Sequence, residues 1–66
     1  MRVLYEYKRE FIPVSGKHEA DSADYESFIC EQAQDGWQPV SRAFRAMSMS
    51  KAGYVILTFK REVEED

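Results

Sequence analysis

The residue types that most often announce chemistry are scarce in this chain. Its 66 residues include one cysteine, one histidine and three glycines. A lone cysteine has no partner for an internal disulfide, and Cys30 with His18 falls short of a structural zinc site, so no metal or cofactor is implied. No apolar run approaches the ~20 residues of a membrane-spanning helix, and the opening MRVLYEYKRE sets charges where a signal peptide keeps its apolar segment. Both absences imply a cytoplasmic protein without membrane contacts. GKHEADS lacks the G-x-x-x-x-G-K-[ST] spacing of a phosphate loop, and the later SKAG holds a single glycine.

Catalysis needs a nucleophile beside a base, a metal cluster, or carboxylates in contrasting environments. None is legible, so no catalytic residue is named and the chain is read as a non-enzyme. Cys30 falls within a helical pattern, with Glu26 one turn before it and no Lys or Arg within a turn, a setting that disfavours the thiolate. His18 lies in a polar connection, where a histidine is solvated, although it is the one side chain whose charge changes near neutral pH.

What the chain does have is a 44% hydrophobic and 14% aromatic composition, enough for one small domain. A chain this short buries only about 60% of its unfolded surface. Cores of this size often rely on a disulfide, a metal or a second subunit. With the first two missing, self-association remains. The net charge of -3 is uneven: residues 1–61 hold nine bases and eight acids, and EVEED adds four acids. That divides the chain into a domain at 1–61 and an acidic, frayed tail at 62–66.

Residues 3–14 alternate as a half-buried strand does, with Pro13 expected to end the pairing for want of an N–H. PVSGKHEADS is a polar connection. DSADYESFICEQAQDG then predicts one helix of about four turns, capped by Asp21 or Ser22 and closed by Gly36 in the left-handed conformation. Tyr25, Phe28, Ile29, Gln32 and Ala33 form its apolar stripe. Trp37, directly behind Gly36, is expected to fold back onto the helix end and plug the core. QPVSRAFRAMSMS reads as a second strand that begins at a sheet edge, with Pro39 a candidate bulge. SKAG is a turn, and YVILTFKRE is the most β-prone segment.

These elements define an α+β fold, β-α-β-β, with a three-stranded antiparallel sheet in the order 1-3-2 and one helix on one face. That order makes every neighbour antiparallel and puts the most apolar strand in the centre. An order of 1-2-3, with a parallel pair made by a right-handed crossover, is the alternative. The opening YEYK, the helix ending QDGWQPV and the closing GYVILTFKR resemble a family of small bacterial and phage proteins catalogued as domain of unknown function number 4177. The resemblance spans most of the chain, although Pro39 and the long first connection depart from its pattern. It implies a β-α-β-β fold and carries no catalytic residues.

One helix covers one face of a sheet. By strand alternation Val3, Tyr5, Tyr7, Val55, Leu57 and Phe59 are expected toward the helix, which leaves Leu4, Ile12, Tyr54 and Ile56 as a candidate self-association face. The function expected is a non-catalytic interaction module that binds a second copy, or another protein. The alternative is a small-ligand binder with an inter-subunit pocket lined by Tyr5, Tyr7, Arg9 and Arg45. A nucleic-acid accessory role is disfavoured. Lys8, Lys60, Arg42 and Tyr54 imitate a basic, aromatic sheet, but Glu6, Glu10 and Glu62 of the same parity cancel the charge.

Overall fold

The computed structural model describes residues 2–47, 49 and 52–65. Its elements follow the order β1 (Arg2–Val14), α1 (Lys17–Ser22), α2 (Glu26–Gln34), β2 (Gln38–Ala46) and β3 (Gly53–Glu65). The sheet is antiparallel throughout in the order β1-β3-β2. The most apolar strand is therefore central: Val55, Leu57 and Phe59 are 1%, 3% and 0% exposed and form the core with Val14, Ala20 and Tyr25.

Where one helix is expected there are two. Ser22 Oγ donates 2.8 Å back to the His18 carbonyl, and the Ala23 amide closes on the Glu19 carbonyl at 2.9 Å, so α1 ends there. Serine in that role competes with helix propagation. The chain restarts with the Asp24 carboxylate accepting the Glu26 amide at 2.9 Å, in place of the Asp21 or Ser22 cap. Between the helices Tyr25 is buried, and its hydroxyl donates to the Ala20 carbonyl at 2.9 Å. Phe28, Ile29 and Trp37 pack on the core, whereas Ala33 of the expected stripe is exposed. At the start of α1 the Glu19 carboxylate accepts the Ser15 amide, which holds its pKa below the ordinary value.

The end of α2 follows its sequence. Gly36 has φ +89°. The Gly36 amide bonds the Ala33 carbonyl at 2.9 Å and the Trp37 amide the Gln32 carbonyl at 3.1 Å, the paired bonds of a Schellman ending. β1 runs through Pro13, whose missing N–H is tolerated because β1 is an edge strand. β2 breaks register between Pro39 and Ser41, which leaves Val40 unpaired as a bulge. The turn expected at SKAG lies largely outside the described residues.

The acidic segment is strand. Glu62 pairs with Tyr5 and Glu65 with Arg2, so residues 62–65 extend β3 where a frayed tail is expected. Register also corrects the assignment of faces. Cross-strand partners share a face, and β1 pairs Ile12 with Val55, Glu10 with Leu57, Lys8 with Phe59 and Leu4 with Val63. Leu4 and Ile12 therefore lie on the helix side, and Val3, Tyr5 and Tyr7 lie on the open side, the reverse of expectation. Tyr54 and Ile56 are on the open side as expected.

Candidate functional site

Two surfaces compete for attention, one on each side of the sheet. On the helix side Trp37 is half-buried and cations bracket it: Lys8 Nζ lies 4.7 Å and the Arg61 guanidinium 4.3 Å from the ring. Both cations are tied down elsewhere. Lys8 donates to Gln32 and pairs with Glu10 at 3.4 Å; Arg61 donates from Nε to Glu6 at 2.6 Å and from a terminal nitrogen to the Asp35 carbonyl at 3.2 Å. Trp37 thus joins the end of α2 to β1 and β3 through its faces as well as by burial. Each charged side chain in this network has an internal partner, which is the signature of a structural clamp.

The open side is different. In the three-stranded part, its rows across β1, β3 and β2 are Pro13–Tyr54–Arg45, Phe11–Ile56–Ala43, Arg9–Thr58–Ser41 and Tyr7–Lys60–Gln38. Two further rows, Tyr5–Glu62 and Val3–Glu64, continue on β1 and β3 alone. Tyr7 is 63% and Phe11 58% exposed, and Val3, Tyr5 and Tyr54 are also exposed. Phe11 and Tyr54 meet edge to face with centroids 6.4 Å apart, and Lys60 Nζ stands 4.8 Å from the Tyr5 centroid. Among the described residues Arg9, Arg45, Glu62 and Glu64 make no ion pair.

Of the residues the sequence singled out for self-association, the structure brings Tyr54 and Ile56 together here and sends Leu4 and Ile12 to the other side. Tyr5, Tyr7, Arg9 and Arg45 all share the open face, but Tyr5 and Arg45 stand eight residues apart in register along β3, about 26 Å at strand rise. Tyr7, Arg9 and Thr58 line one shallow depression with Lys8. Of Tyr5, Tyr7, Arg9 and Arg45, that depression holds Tyr7 and Arg9. Phe11 also belongs to this face: it alternates with Tyr5 and Tyr7, whose side was expected toward the helix, and only its pairing with Ile56 places it here.

The charge argument changes too. Glu6, Glu10, Lys8 and Arg42 lie on the helix side, so the three-stranded part of the open face carries Arg9, Arg45 and Lys60 and no acid. Acids concentrate elsewhere: residues 17–35 hold six, with one lysine. Cys30 is exposed on α2, and His18 is exposed on α1. Among the described residues no three His, Cys, Asp or Glu side chains are grouped to hold a metal, and no helix is long and apolar enough to cross a membrane. No family model, curated protein or solved structure matches the chain.

Proposed function

We propose that this chain is a non-catalytic interaction module of the cytoplasm that associates with a second copy of itself through the open face of its sheet. The observation that carries the reading is the alignment of Val3, Tyr5, Tyr7, Phe11 and Tyr54, all exposed, on one side of one sheet. Scattered exposed apolar residues need no explanation, but five gathered on one sheet face, divided only by the Arg9–Thr58–Ser41 row, mark an interaction site. Burying an apolar side chain fully stabilises by roughly 1.5–3 kcal/mol. A domain with six buried core residues among those described gains proportionately much from covering that face. Packing of two sheets face to face about a two-fold axis accomplishes this with a single surface.

Light scattering behind a sizing column tests the proposal on the parent and on Tyr7→Lys, with Leu4→Lys as a control on the opposite side. The expected result is a parent of twice the chain mass at high micromolar concentration, a Tyr7→Lys variant shifted to monomer and a control that still assembles. A parent that stays monomeric removes the reading.

A second reading has one observation in its favour: three bases and three exposed rings share the three-stranded part of the face without an acid, the makings of a platform for single-stranded nucleic acid. Anisotropy of a fluorescent oligonucleotide, titrated at two salt concentrations, tests it. Binding that weakens steeply with salt supports it.

A further inference from the structure

Resting on the self-association just proposed, we infer the orientation of the two copies: the open faces meet about a two-fold axis that crosses β3 between Thr58 and Lys60, perpendicular to the strands. Two observations select this axis over one running along β3.

The first is the outline of the face. β2 begins at Gln38, opposite Lys60, whereas β1 and β3 continue for a further stretch to Arg2 and Glu65. The surface is three strands wide at one end and two at the other. An axis along β3 exchanges β1 with β2, so Val3 and Tyr5 come to lie where the second copy has no β2, and both stay wet. The transverse axis lays β1 on β1 and β3 on β3. It covers Val3 and Tyr5 and brings Tyr5 against Phe11 of the second copy. The four open-face rings, at ~200 Å² each and about half exposed, offer on the order of 400 Å² per copy, and their neighbours carry the patch toward the ~800 Å² that a stable interface uses.

The second is charge. The bases Arg45, Arg9 and Lys60 occupy the wide end and middle, and the acids Glu62 and Glu64 the narrow end. An axis along β3 sets Lys60, Glu62 and Glu64 each against its own copy, like on like, which opposes association. The transverse axis turns the narrow end of one copy onto the wide end of the other, bringing Glu64 beside Arg45 of the second copy. It also sets Arg9 over the Tyr7 ring of the second copy, a cation on an aromatic face. That contact is adjacent to the axis, where the crossing angle of about -30° between packed sheets displaces residues least.

Met49, fully exposed in the β2–β3 connection, reports the orientation. A nitroxide on Met49→Cys in a Cys30→Ser background is measured by pulsed dipolar electron spin resonance. The molecule is 49 Å long, so the transverse axis holds the two labels at opposite ends, about 40 Å or more apart. The axis along β3 brings them to one end, separated by the ~10 Å sheet spacing and the label arms, under about 25 Å. A distance under 25 Å overturns the inference and leaves the self-association standing. Antiparallel pairing through the β1 edges also separates the labels, and charge exchange distinguishes it: Arg45→Glu is expected to weaken dimerisation at least threefold and Glu64→Arg in the same chain to restore it. Equal affinities for parent, single and double variants overturn the face-to-face axis. A parent that is monomeric by light scattering and shows no dipolar signal overturns the self-association itself.

Discussion

The two faces of the sheet are built from the same three strands and treat their side chains in opposite ways. On the helix side Val55, Leu57 and Phe59 of β3 are buried, with Val63 near the strand's end left exposed, and the charges of β1 are tied into pairs, Glu6 with Arg61 and Lys8 with Glu10. On the open side the apolar residues other than the half-buried Ile56 are exposed, and Arg9, Arg45, Glu62 and Glu64 are left without internal ion pairs among the described residues. Composition does not separate the two: the open face carries four aromatic rings, and the helix side carries Phe44 and Phe59 on its strands with Tyr25, Phe28 and Trp37 packed against them. What separates them is use. The helix side is consumed by the fold, and the open side keeps its capacity for contact.

That comparison breaks most sharply at Phe59, the fully buried residue at the centre of the helix side. Phe59→Ala is expected to destabilise by about 3–5 kcal/mol, the cost of a large buried ring and the cavity it leaves, which in so small a domain unfolds most of the population. Urea denaturation followed by circular dichroism measures it. A loss under about 1 kcal/mol would mean that the helix side is not the core.

Gly53 sharpens the comparison at the hairpin. A Cβ there would stand 2.2 Å from the Arg45 carbonyl oxygen and 2.9 Å from the Ala46 Cα, both backbone atoms of the paired strand. Gly53→Ala is expected to force β2 and β3 apart and to cost roughly 1–3 kcal/mol, as overpacking does. The same denaturation experiment decides it; a neutral substitution would show that the hairpin can open without loss.

Gly36 carries the smallest expected effect. Its φ of +89° strains any residue with a Cβ, and the Cβ would approach Arg61 Cδ at 3.3 Å. Gly36→Ala is expected to cost about 1 kcal/mol. Because Arg61 lies over Trp37, tryptophan fluorescence should shift as well. An unchanged midpoint would indicate that the helix end re-forms elsewhere.

Much of this architecture is legible in the sequence, and the exceptions have a common cause. The central strand declares itself in YVILTF, the order 1-3-2 follows from connectivity and apolar content, and Gly36 before Trp37 marks the helix end. The faces of β1 are not legible, because both alternations contain apolar residues: Leu4, Ile12 and Val14 on one, Val3, Tyr5, Tyr7 and Phe11 on the other. The aromatic set is the larger, yet register with β3 puts it outside. Lys8, Glu6 and Glu10 are accommodated on the helix side because their stems lie along apolar surface while their heads find partners around Trp37 and at the strand edge. The break between α1 and α2 was hidden for a similar reason. Ser22 and Asp24 read equally well as the start of one helix and as the junction of two, and the burial of Tyr25 between them is a tertiary fact. The close approach at Gly53 depends on the partner strand and leaves no local trace. The candidate site inherits these limits: Tyr54 and Ile56 were found from β3, whose faces are unambiguous, whereas Leu4 and Ile12 were drawn from the strand whose faces are not.

The central claim, that the open face is reserved for a second copy, is tested most directly by thermal unfolding of the parent and Tyr7→Lys over a hundredfold range of protein concentration. If folding and association are linked by mass action, the parent's Tm rises with concentration. The Tyr7→Lys variant, altered at an exposed position, should melt near the parent's most dilute value and show no such rise. A parent Tm independent of concentration up to the high micromolar range would contradict the account.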